Sequence, residues 1–120
     1  MAVVPESEAA EALAQQIAFE LRRRGVVVDY LYRGSARKRL DRYQRRGLTT
    51  AVFVDVPDNE PDLVGTINVK RYRSMSHSSE RRIERNLSAL FDVIQSYDIH
   101  QEGLIGDRRV DFVLRRKRGE

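Results

Sequence analysis

The sequence predicts an α/β domain: a mixed, largely parallel sheet of four or five strands with three helices, in the order β-α-β-α-β-β-α. Two observations carry this prediction. Two amphipathic segments each stop at a glycine, Gly25 and Gly47, and an apolar run follows each of them, at 26–32 and 50–54. Helices that alternate with strands imply parallel pairing, because a crossover helix returns the chain to the end of the sheet where it started.

The elements follow in order. Ala2-Val3-Val4 reads as a first strand, broken by Pro5. Ser7 is placed to cap a helix beginning near Glu8, and Glu6 and Glu8 suit its positive end. Ala10, Leu13, Ala14, Ile17 and Leu21 recur at helical spacing and define one apolar face. Arg22, Arg23 and Arg24 suit the negative C-terminus, and Gly25 takes the position after it. Residues 26–32, rich in valine and tyrosine, read as a strand. Gly34-Ser35 turns into a second helix from about Ala36 to Arg46, with Leu40 and Tyr43 inward. The near-continuous apolar run 50–54 is the pattern of a strand covered on both faces.

A polar turn at 57–62 leads into a strand over 64–72, where Ile67 and Val69 alternate with Thr66, Asn68 and Lys70. The short turn makes this strand antiparallel to its predecessor. Residues 74–79 read as a serine-rich loop; Ile83, Leu87, Leu90, Phe91 and Ile94 then trace a third helix. The expected division is one domain over 1–97 and a C-terminal extension over 98–120, with one added strand at 110–114 and a basic end at 115–118. Leu13, Ile17, Leu21, Val27, Leu40, Val52, Phe53, Val54, Ile67, Leu87, Leu90 and Ile94 are the expected core, Phe53 foremost.

Composition narrows the function. A chain of 120 residues suits one domain. It holds no cysteine, which excludes disulfides, thiolate metal sites and thiol catalysis. No apolar run approaches the roughly 18 residues of a membrane span, and the N-terminus lacks a signal-peptide pattern. The expected setting is intracellular, with cytoplasm, nucleus and mitochondrion not separated. Charge is +4, from 22 basic and 18 acidic residues, and 19 of the 22 are arginine. Arginine forks onto phosphate and stacks on bases in ways lysine cannot. The bland alternative is a solvated, arginine-rich surface.

Nothing points to catalysis. His77 and His100 fall in polar segments far apart, and no HExxH, GxSxG or Walker string occurs. Asp55, Asp58, Glu60 and Asp62 lack the spacing of a calcium loop. The expectation is a binding domain with no catalytic residue, cofactor or metal.

Several strings together resemble a known family. Residues 12–31 pair a helix ending at glycine with a valine-rich strand. Ser35-Ala36-Arg37-Lys38-Arg39-Leu40 opens a second helix, which Gly47 stops, and Gly65-Thr66-Ile67-Asn68-Val69-Lys70 forms a later strand. In this order they resemble the anticodon-binding domain of class IIa aminoacyl-tRNA synthetases, histidyl type, over about 2–96. The resemblance implies that domain's fold and an RNA partner such as a tRNA, in a synthetase or in a diverged relative that is not one. Two clusters at strand exits are the expected contacts: Arg33, Arg37 and Lys38, and Lys70, Arg71, Tyr72 and Arg73. The cations meet phosphate, and Tyr72 stacks an unpaired base. The competing reading is an adaptor that binds a protein partner, or a second copy of itself, through the third helix (Arg81, Arg82, Arg85) and the tail.

Overall fold

A computed structural model describes residues 1–31, 38, 40–42, 49–57, 63–72, 77–105 and 108–117, with the side chains of 77–79, 98–105, 108 and 109 left aside. The strands are β1 (Ala2–Pro5), β2 (Asp29–Tyr30), β3 (Thr50–Asp55), β4 (Leu63–Arg71), β5 (Asp98–Ile105) and β6 (Arg108–Arg115). The helices are α1 (Glu11–Arg23) and α3 (His77–Ile94). Between them lies α2, helical at 38 and 40–42.

α1 forms where its signals sit. Ser7 Oγ accepts from the Ala10 N–H (3.2 Å) and donates to Asp55 Oδ1 (2.9 Å), so the cap also ties the helix entry to β3. One 3-10 turn, Glu8–Ala10, precedes the α-helix proper. At the far end the Val26 N–H donates to Leu21 O and the Gly25 N–H to Arg22 O. That paired closure needs a left-handed residue, and Gly25 supplies it at φ 83°.

The six strands form one sheet in the order β2-β1-β3-β4-β6-β5. β1 is parallel to both β2 and β3; β3–β4, β4–β6 and β6–β5 are antiparallel. The α/β architecture and the turn from parallel to antiparallel at β4 match the sequence reading. The sheet is wider than expected because the tail contributes a hairpin rather than one strand, which makes antiparallel pairings the majority. The extension is therefore continuous with the sheet: β6 lies directly against β4.

Alternation sorts the sheet into two faces. Val3, Val52, Val54 and Ile67 pack with Leu13, Ile17 and Leu21 of α1 and Leu90 and Ile94 of α3. On the other face Ala2, Val4 and Ala51 pack with Leu31, Tyr72 and Leu40 of α2. Two helices thus cover one face and α2 the other.

Four expectations need correction. Val27 is 80% exposed. The chain is extended there, so Val26 and Val28 turn inward and Val27 outward. Among the described residues of the strand expected over 26–32, Asp29–Tyr30 alone pair as strand; Val26 is engaged in closing α1 and Val28 O accepts from Arg22 Nη2. Phe53 and Leu87 are half-buried, not fully covered. His77, Ser78 and Ser79 open α3 instead of ending a loop.

Candidate nucleic-acid interface

Strand polarity decides where the expected contacts lie. Arg71 pairs with Thr50 and Lys70 with Ala51, which itself pairs with Ala2. β4 therefore ends where β1 and β3 begin. β2 runs the other way: Asp29 is level with Ala2, Tyr30 with Val3, and the Leu31 N–H donates to Val3 O as the chain leaves. The β2 exit and the β4 exit point toward opposite ends of the sheet. A face shared by all the expected cations requires the chain after Leu31 to return toward the β4 end, over residues outside the described ones. The rule that ligands gather at carboxyl ends of strands applies to parallel strands, and β4 is antiparallel. Arg33, Arg37 and Arg73 lie outside the described residues.

Lys70 and Arg71 are both exposed. As consecutive strand residues they point to opposite faces. Lys70 is on the α2 side, its Nζ 5.2 Å from the centre of the Tyr72 ring. Arg71 is on the α3 side, where it lines a cleft of about 260 Å³ with Tyr72, Glu80, Ile83 and Glu84.

Tyr72 is not an open stacking platform. It is 9% exposed and belongs to the cluster of Leu31, Leu40, Val4 and Ala51, and its N–H donates to Thr49 O at 2.8 Å. Burial, and then the negative charge of Asp41, push its phenol above the ordinary tyrosine value. Asp41 is an exposed residue of α2, so that helix reaches toward the end of β4. Lys38, also exposed, precedes it by one turn on the same helix face. Lys38, Lys70 and Arg71 are thus the described cations of the expected set, and the Tyr72 ring lies between the last two.

Sequence reasoning missed three features of this end. Glu80 and Glu84, four residues apart on α3, face the Arg71 cleft and temper its positive charge. Arg108 and Arg109 open β6 at the same end of the sheet, as the antiparallel register with β4 requires. Asn68 and Asp111 form a reciprocal clamp. The Val69 N–H donates to Asp111 Oδ2 and the Asp111 N–H to Asn68 Oδ1, both at 2.8 Å. The matched β4–β6 register runs only as far as Ile67 and Phe112, so side chains hold the strands together beyond it. The Glu80–Glu84 spacing was visible in the sequence; its position over β4 was not.

Among the described residues no helix is long and apolar enough to cross a membrane. A family profile described as "Anticodon binding domain" matches residues 1–97. No curated protein and no solved structure matches the chain.

Proposed function

The chain belongs to the anticodon-binding domain family of class II aminoacyl-tRNA synthetases, and from that membership we propose that it binds unpaired RNA, such as a tRNA anticodon loop, through the cations around the end of β4. In synthetases this domain is non-catalytic; here it acts by holding RNA. The observation that carries the reading is the exposure of Lys70 and Arg71, side by side on the strand and pointing to opposite faces. A backbone that rounds the sheet end meets Lys70 on one side and Arg71 on the other. Lys38 extends the first side. Arg33, Arg37 and Arg73 belong to the proposed contact set by their place in the sequence.

The chemistry favours phosphate as the main determinant. Tyr72 is covered, so affinity rests on charge-assisted contacts, and binding is strongly salt-dependent. Glu80 and Glu84 beside Arg71 disfavour phosphate deep in the cleft and confine the backbone to its rim.

The test is a titration of tRNA and of an anticodon-loop oligonucleotide against the chain and a joint Lys70→Ala, Arg71→Ala variant at several salt concentrations. Two lost phosphate contacts on single-stranded RNA lower the slope of log K against log salt by about 1.4. The reading fails if the unsubstituted chain binds no tighter than roughly 10⁻⁴ M, the level of weak non-specific association. It fails equally if the joint variant keeps both affinity and slope.

A further inference from the structure

β5 is the outermost strand, and among the described residues nothing pairs with its free edge. It spans 8 residues in one register with β6 that never shifts. The opposite edge, β2, is only 2 residues long. Sheets avoid joining other sheets through short edge strands, charged side chains (lysine above all), prolines and bulges. β2 uses the first of these devices. β5 is long, unbulged and free of Lys, Arg and Pro; its charged residues are the acids Asp98 and Glu102. The arginines of the hairpin, Arg108, Arg109 and Arg115, are on the inner strand β6 instead. The bare edge leaves a row of backbone N–H and C=O groups that a further strand can satisfy.

We propose that β5 pairs antiparallel with β5 of a second copy of this chain, joining two six-stranded sheets into one. The sequence of β5 identifies the occupant. A two-fold axis that keeps the joined sheet continuous sets residues of equal parity opposite one another. Two such registers use nearly the whole strand. One centres on residue 102 and sets Glu102 against its own copy. The other centres on residue 101, sets Glu102 opposite His100 twice, Asp98 opposite Leu104 twice, and Gln101 against Gln101. Like charges directly opposed destabilise a strand pair, and only the second register avoids them. β5 carries two acids, Asp98 and Glu102, and in this register neither meets another. The strand is therefore complementary to itself in one alignment. The inference uses the free edge of β5 and not the end of β4, so it stands apart from the RNA reading.

The test needs no RNA. The full chain is followed by sedimentation and light scattering across a hundredfold dilution series, and by hydrogen exchange of the 98–105 amides at both extremes. The mass doubles with concentration and the β5 amides become protected as it does. His100→Glu then opposes a second carboxylate to Glu102 twice per dimer and weakens association by about 2- to 30-fold. Adding Glu102→Lys to that variant restores it. A single-copy mass throughout overturns the proposal. A doubled mass with unprotected β5 amides also overturns it, because another surface then joins the copies. So does a folded His100→Glu variant that associates as before. Should His100→Glu fail to fold by circular dichroism, the exchange data on the unsubstituted chain decide alone.

Discussion

Replacing Tyr72 with Ala separates two roles that the sequence leaves together. A tyrosine flanked by arginines reads as a base-stacking residue, whose loss costs about 1–3 kcal/mol of RNA affinity and leaves the fold intact. The structure buries the ring to 9% exposure against Leu31, Leu40, Val4 and Ala51. Truncating a buried aromatic costs about 3–5 kcal/mol; Tyr72 caps the smaller cluster at the sheet end, so the lower figure applies. A domain of this length has an unfolding entropy that converts about 3 kcal/mol into a fall of about 12 °C in Tm. The loss includes the Lys70 ammonium over the ring, about 0.5–1 kcal/mol at an exposed site. Thermal unfolding by circular dichroism, run beside the RNA titration, gives both numbers. Tyr72→Phe keeps the packing and the ring face, and leaves both readouts near those of the unsubstituted chain. A Tyr72→Ala protein with unchanged Tm but weakened RNA binding would refute the buried placement and restore the stacking role.

Two further predictions concern the same framework. Gly65→Ala drives a methyl group into Leu13 Cδ2 of α1 and to 2.9 Å from Asp55 O. The helix and strand must separate, at a cost of about 1–3 kcal/mol, read as a Tm fall of about 4–12 °C. The raised phenol pKa of Tyr72 makes stability depend on pH in the alkaline range. Folding holds the proton more tightly than the unfolded chain does. That contribution is complete below pH 10, the ordinary tyrosine value, and is lost as pH rises through the higher folded-state value. Urea titrations from pH 9 upward show the unsubstituted chain losing stability relative to Tyr72→Phe above about pH 10. Equal pH profiles would remove the buried phenol from the account.

Elements with two agreeing signals were legible in the sequence. α1 has both an apolar stripe and end residues, Ser7 and Gly25, that bond where the sequence places them. β3 and β4 have β-branched runs and a short turn, which fixes their antiparallel pairing. Val27 shows how little margin a valine run leaves: composition cannot state parity, and a one-residue shift exchanges inside for outside. β5 escaped because DIHQEGLI has apolar residues only near its ends; an edge strand satisfies half its backbone with one neighbour and needs little side-chain burial. The site was legible as residues and not as geometry. Lys70 and Arg71 are exposed as expected, yet which end of the sheet they occupy follows from pairing with β3, a contact across the chain that no local string records.

The hairpin beyond residue 97, where the family match ends, changes what β4 is. Without β6, β4 would be an edge; with it, Ile67 and Leu114 are fully buried and Thr66 and Val113 nearly so. The matched register stops at Ile67 and Phe112, and the Asn68–Asp111 clamp takes over just before the basic residues begin. The same strand is thus sealed along its apolar part and left open at Lys70 and Arg71. Sealing β4 transfers the free edge to β5, two strands away. The proposed RNA contacts and the proposed copy-to-copy contact therefore occupy separate ground: one at a strand end, the other along a strand flank. A pair joined through β5 keeps both β4 ends open, so two RNA contacts can form at once. Arg108 and Arg109, at the start of β6, lie at the end of the sheet where β4 and β5 both finish.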